Sequence, residues 1–218
     1  MASLVQSTNT ISAGNTNLAF GVDTTAGNFL IVAVSALTTG QTFTVTDSAG
    51  NTYRSLAAVT DAPNTVESQI FFVPSCLEGA STVTFTPGAA VATVVALHEF
   101  SGVERISARG NATGSGTSAA SPTMAIAAGF AFGFISSNSS GTISAIVPGT
   151  GWTQGEVNFA ANPSFITEWR TTGGSVAATA TATLGKGATF PWTAQLAGDG
   201  GTTAFASSSF GFLQWTGW

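Results

Sequence analysis

The sequence predicts an all-β fold, an antiparallel β-sandwich of jelly-roll character. Three observations predict it. Helix signals are nearly absent, because no long window places apolar residues at three-and-four spacing. Strand signals recur along the whole chain, as short runs in which apolar residues alternate with threonine. Turn residues interrupt these runs at intervals of about 8–12 residues, the spacing of sandwiches and barrels.

The elements follow in chain order. "NFLIVAVSAL" (28–37) is a continuous apolar run, the mark of a strand buried on both faces. "QTFTVTD" (41–47) sends Phe43 and Val45 to one face and Thr42, Thr44 and Thr46 to the other. "STVTFTP" (81–87) opposes Val83 and Phe85 to Thr82, Thr84 and Thr86. "VATVVALHEF" (91–100) is a long strand with both faces largely apolar. In "MAIAAGFAFGFI" (124–135), Met124, Ile126, Phe130, Phe132 and Phe134 form a bulky face and Ala125 to Gly133 a smooth one. That contrast predicts a strand whose large side fills the core and whose small side lies under a close-packed neighbour. "SFITEWRTT" (164–172) places Phe165, Thr167 and Trp169 together, and "VAATATATL" (176–184) opposes Ala178, Ala180, Ala182 and Leu184 to three threonines. The terminal "TTAFASSSFGFLQWTGW" reads as a last strand, with Trp215 and Trp218 docking the terminus.

With 218 residues the chain is long enough for one large sandwich. We read residues 1–218 as a single domain with a possible division near 106–121, where "GNATGSGTSAAS" (110–121) reads as a long connection crossing one end of the sandwich.

Composition narrows the function. Only 7% of residues are charged, against roughly 25% in an ordinary domain, yet 44% are hydrophobic. That is not the composition of a disordered chain. The net charge is −5 and the cations number five: Arg54, Arg105, Arg109, Arg170 and Lys186. They form no basic stripe, which argues against binding nucleic acid. No apolar stretch is long enough for a membrane span, and residues 1–14 lack the basic start and apolar run of a signal peptide. Cys76 is the only cysteine, so no intrachain disulfide forms.

Chemistry has few places to reside. "TVTDSAGNTY" (44–53) contains Asp47 and Asn51, with Asp61 and Asn64 following in "TDAPNT". Asp and Asn bond local backbone and Gly supplies positive φ, so Asp47–Asn51 reads as a hairpin connection into a return strand beginning at Tyr53. Asp47, Asn51 and Asp61 are also the residues a calcium ion would use, but they supply too few carboxylates for the usual ligand set. His98 is the sole histidine. It lies mid-strand on the face of Val94 and Ala96, so the adjacent Glu99 points away and does not orient it. One His and one Cys do not make a zinc site. Glu99 and Glu168 are the pair of acids that a glycoside-hydrolase cleft would need. Arg170, two residues after Glu168, suggests instead a surface ion pair. No cofactor is expected.

The segment "TAGNFLIVAVSA…TVTDSAGNTY…IFFVPS…GASTVTFTPG…VVALHEFSGV" (25–103) resembles β-sandwich domains of tailed-phage virion proteins and of bacterial secreted multidomain proteins. The resemblance implies a non-catalytic structural, adhesive or glycan-binding module, in a virion or outside the cell. It supplies no ligand residues.

Two partner readings follow. Outward faces of Thr, Ser and Ala, nearly free of charge, suit packing against further copies or other virion and surface proteins, as in a shell, fibre or decoration. Alternatively, Trp152, Trp169 and Trp192 present an exposed aromatic face to a glycan.

Overall fold

The computed structural model describes residues 1–127, 129–139, 141–160 and 162–199. Trp215 and Trp218, and the predicted terminal strand, lie outside the described residues.

The regular structure of the described residues is strand, apart from one short 3-10 turn. The first half holds β1 (Ser3–Ala13), β2 (Thr16–Ala19), β3 (Phe29–Ala36), β4 (Phe43–Asp47), β5 (Arg54–Ser55), β6 (Val59–Asp61), β7 (Val66–Val73), β8 (Thr82–Pro87) and β9 (Ala92–Ser101). A single 3-10 turn, Ala62–Asn64, separates β6 from β7. The second half holds β10 (Ala108–Ser115), β11 (Ser118–Ala120), β12 (Met124–Ile126), β13 (Ala131–Ser137), β14 (Ile143–Pro148), β15 (Thr153–Asn158), β16 (Ser164–Arg170), β17 (Gly174–Val176), β18 (Thr179–Leu184) and β19 (Pro191–Gly198).

All pairings are antiparallel. In the first half a large sheet runs β1-β9-β3-β7-β5, with β6 also on β7, and a small sheet runs β2-β8-β4. In the second half the large sheet runs β10-β19-β13-β16-β15 and the small one β11-β18-β14, with β12-β17 beside it. The two orders are the same once β1 is matched to β10, β9 to β19, β3 to β13, β7 to β16, β8 to β18, and β4 to β14. One connectivity therefore occurs twice.

Alternation decides the layers. In β3, Leu30, Val32 and Val34 pack on Phe43, Val45, Val83 and Phe85 of the small sheet. Its other residues, Phe29, Ile31 and Ala33, pack on Phe132, Phe134 and Phe165 of the second half. In β13, Ala131 and Ile135 turn the other way, toward Ile143, Ile146, Ala180 and Ala182. The result is four layers: small sheet, large sheet, large sheet, small sheet. The two large sheets are covered on both sides, so β3, β9 and β13 are buried at nearly every position. Across the central seam β1 lies against β15, β9 against β16, β7 against β19 and β6 against β10. Exchanging the halves maps these contacts onto one another, so an approximate two-fold axis relates them.

The smooth face expected for 131–133 is present. A Cβ at Gly133 would sit 2.7 Å from Ala178 Cβ and 2.8 Å from Glu168 Cγ. Three expectations need correction. Residues 124–135 are two strands in different sheets, broken where Gly129 takes φ 84°. The stretch 110–121 is no connection, because Ala108–Ser115 pairs with β19 through all eight residues. Asp47–Asn51 is no hairpin, because β4 pairs with β8 whereas β5 pairs with β7 in the large sheet. The turn carries the chain from one layer to the next.

Candidate functional site

The sole histidine sits at the seam. His98 is fully buried on β9, between Phe100, stacked at 6.0 Å, and Phe132, edge-on at 5.0 Å. Its Nε2 lies 3.0 Å from Thr167 Oγ1 on β16, whereas Nδ1 has no partner. A buried N–H without an acceptor costs more than a bare lone pair. The proton therefore belongs on Nε2, which donates to Thr167 Oγ1. The hydroxyl in turn donates to Glu156 O at 3.2 Å and accepts from Glu156 N–H at 2.6 Å. The Glu156 carboxylate accepts from Ser7 and Asn9 of β1. Burial pushes the His98 pKa down to about 3, so the ring stays neutral at physiological pH. Gly155 makes the fit possible, since a Cβ there would stand 2.6 Å from Thr167 Oγ1 and 2.9 Å from His98 Nε2.

The buried acids are held by amides of the protein itself. Glu99 faces the first small sheet and accepts from Gln6 Nε2, Thr25 N and Asn28 Nδ2 at 2.6, 2.9 and 2.6 Å. Glu168 faces the second small sheet and accepts from Gly149 N at 3.1 Å and Thr179 N at 2.7 Å. Two sheets separate them, so they do not share a cleft. Glu168 does not form the expected surface ion pair either. It is buried, desolvation raises its pKa to about 8, and Arg170 bonds Thr172 Oγ1 through Nε and Nη2. Glu67 plays a similar part, accepting from Gly40 N and Gln41 N. Cations are scarce in this sequence, and loop amides take their place as partners of buried carboxylates. The sequence lists these acids without revealing which are buried.

Asp47 is saturated by its own turn. Oδ1 accepts from Ala49 N at 3.1 Å and Asn51 N at 3.0 Å, and Oδ2 from Asn51 Nδ2 at 2.8 Å and Tyr53 Oη at 2.9 Å. Asn51 Oδ1 accepts from Leu77 N at 2.7 Å. Burial first, and then the Asp47 charge, push the Tyr53 phenol up. Asp61 lies on β6 in the large sheet and accepts from Asn64 Nδ2 at 2.8 Å. Among the described residues no group of three or more His, Cys, Asp and Glu side chains is placed to hold a metal ion. Cys76 is buried and donates to Thr25 O; burial first, then the Glu99 charge, raise its pKa.

The three indoles do not form one exposed face. Trp152 is 9% exposed, donates Nε1 to Ala177 O at 3.0 Å and carries the Arg170 guanidinium 5.7 Å from its ring. Trp192, also 9% exposed, covers Gly114 in the interior shared with Trp152. Trp169 points to the central seam, edge-on to Phe100 at 5.7 Å, and is half-buried.

What the molecule does present is a pair of uncharged outer faces. On the first small sheet Thr44 stands opposite Thr86, Thr46 opposite Thr84, and Asn17 beside Thr84. On the second, Ser118 and Val147 flank Thr181, and Ala145 stands opposite Thr183. No outward residue of these strands is charged. No described helix is long and apolar enough to cross a membrane.

No family model matches the chain, and neither a curated protein nor a solved structure matches it.

Proposed function

We propose that this protein is a non-catalytic assembly subunit, a virion or extracellular decoration, shell or fibre component that works by packing against further copies or neighbouring proteins. One observation carries the reading. The two outermost layers present uncharged faces on opposite ends of a four-layer block, paired threonines on one and Thr181 and Thr183 flanked by Ser118, Ala145 and Val147 on the other. Charged side chains, with their long ordered water shells and rotamer entropy, oppose close contact; short hydroxylated ones do not. Edge strands without lysine are also poorly guarded against pairing. The first–eighth–third–sixth strand order of each half supports reading it as a jelly roll whose fifth strand has moved to the large sheet. His98, Glu99 and Glu168 are buried and held in structural bonds, which weighs against a hydrolytic role for them.

The test is the state of association. Light scattering behind size-exclusion chromatography is expected to show concentration-dependent assembly of the native chain. Thr84→Glu with Thr181→Glu, one charge on each outer face, is expected to abolish it with the fold unchanged by circular dichroism. A monodisperse monomer at high concentration, recovered from its source without partners, would sink the proposal. Glycan adhesion through Trp152, Trp169 and Trp192 is the alternative, and the burial of two of the three indoles weighs against it.

A further inference from the structure

The strand registers match the two halves residue by residue along the flanks of the seam. Ser35 Oγ accepts from Ser136 Oγ at 2.6 Å, which sets the approximate two-fold axis between these two serines. Through β3 and β13, Ala96 then corresponds to Gln195 and His98 to Ala197. On the neighbouring edge strands, Ser7 and Asn9 pair with His98 and Ala96, whereas Arg109 and Asn111 pair with Ala197 and Gln195. Ser7 therefore corresponds to Arg109, and Asn9 to Asn111.

The facing wall obeys the same match. Residues 54–59 run against 68–72, and residues 153–158 against 165–169, six opposite five in both halves. Ser68 and Phe165 are themselves equivalent, since they pair with Ser35 and Ser136. Ala57 therefore stands where the other half has Glu156.

The two flanks differ in one respect. On the first, the Glu156 carboxylate crosses the seam and accepts from Ser7 and Asn9. On the second, Ala57 brings no acid, and Arg109 and Asn111 line a cleft of about 320 Å³ together with Leu56, Ala57 and Gly110. Arg109 and Asn111 are exposed, and among the described residues neither side chain makes a hydrogen bond or an ion pair. The guanidinium fork matches two carboxylate oxygens better than the serine hydroxyl of the first flank does. An exposed ion pair alone contributes little. The Asn111 amide and the apolar wall of Leu56 and Ala57 supply further contacts.

We propose that this cleft is a carboxylate site, the counterpart of the Glu156 site without an acid of its own, and that it takes an acidic side chain presented by another polypeptide. The first flank shows the kind of occupant, a glutamate delivered by a neighbouring strand. The cleft lies on the seam and not on the outer faces, so it stands apart from the assembly reading.

Amide chemical shifts in low salt, where such pairs are least screened, test it. A capped Gly-Glu-Gly peptide is expected to give saturable shifts at Ala57, Gly110 and Asn111. Affinity is expected to be at least about tenfold lower for capped Gly-Gln-Gly and for the glutamate peptide with Arg109→Ala. Ala57→Glu supplies the acid from within. It is expected to abolish the peptide shifts and raise the urea midpoint, and added Arg109→Ala is expected to remove that rise. Shifts that do not saturate, that are equal for the two peptides, or that persist in Ala57→Glu or Arg109→Ala overturn the site. Tighter binding of glucuronate than of the glutamate peptide overturns the polypeptide occupant in favour of a sugar acid.

Discussion

His98 Nε2 and Thr167 Oγ1 meet at 3.0 Å across the seam between the two halves, one on β9 and the other on β16. Nε2 carries the donated proton and Nδ1 has no acceptor, so a second proton would leave a buried N–H unpaired, and burial holds the pKa near 3, against an ordinary 6.5. The folded-state pKa is depressed, so this group's contribution to stability is complete above pH 6.5 and is lost as pH falls toward 3. Between those values the unfolded chain binds the extra proton, and stability rises with pH by about 1.4 kcal/mol per unit. His98→Asn is expected to remove the rise below pH 4.5. Urea unfolding across pH 3–9 measures it, and an unaltered acid limb in the variant would contradict the assignment.

Glu168 gives the opposite slope. Its pKa is raised from 4.5 to about 8 by desolvation, against the favourable Thr179 and Gly149 N–H groups and the Arg170 charge. A raised pKa contributes stability that is complete below pH 4.5 and is lost as pH rises through 8. Between pH 4.5 and 6.5 the two groups cancel. The full chain is therefore expected to show a flat maximum there, falling on the alkaline side between 6.5 and 8 by about 1.4 kcal/mol per unit. Glu168→Gln is expected to abolish that alkaline fall, leaving a profile that still rises up to pH 6.5. The same urea series reads the outcome.

Much of this arrangement is legible in the residues. The alternation of Phe43 and Val45 with threonines, or of Ala180 and Ala182 with Thr181 and Thr183, gives strand, face and burial correctly. The two-sided apolarity of 28–37 and 91–100 announces burial on both faces. It does not say that the second face meets another half of the same chain, because an apolar face carries no label for its partner. Asp47–Asn51 shows the same limit: Asx chemistry specifies a turn, and a turn serves equally a hairpin or a passage between layers. Gly and Ser in 110–121 hide β10, which is held by backbone pairing to β19 with little apolar side chain of its own. The burial of Glu99 and Glu168 is likewise invisible, because loop amides that neutralise a carboxylate leave no mark in composition.

Gly133 tests the packing of the second interior. A methyl group there would meet Ala178 Cβ at 2.7 Å and Glu168 Cγ at 2.8 Å, in a part of the protein closed on every side. Gly133→Ala is expected to cost about 1–3 kcal/mol through overpacking. Pairing it with Ala178→Gly relieves one of the two contacts and is expected to recover part of the loss. Urea midpoints for the four chains measure the coupling, and strict additivity would show that the two positions do not press on each other.

Asp47 distinguishes a structural turn from a metal loop. Its two oxygens receive four donors from Ala49, Asn51 and Tyr53, so no lone pair is left facing an ion. Asp47→Ala removes all four at once and leaves the half-buried Tyr53 hydroxyl without its acceptor. The expected loss is about 3 kcal/mol, since bonds to a charged acceptor are worth about 1.5–3 kcal/mol each and neighbours sharing one group are not additive. Asp47→Asn keeps the shape and the Oδ1 acceptor, so it is expected to lose roughly half as much. Millimolar calcium or a chelator is expected to leave the melting temperature of the native chain unchanged, because an ion would have to displace these donors before it bound. A rise in melting temperature with calcium that disappears in Asp47→Asn would reverse this reading and make the turn a cation site.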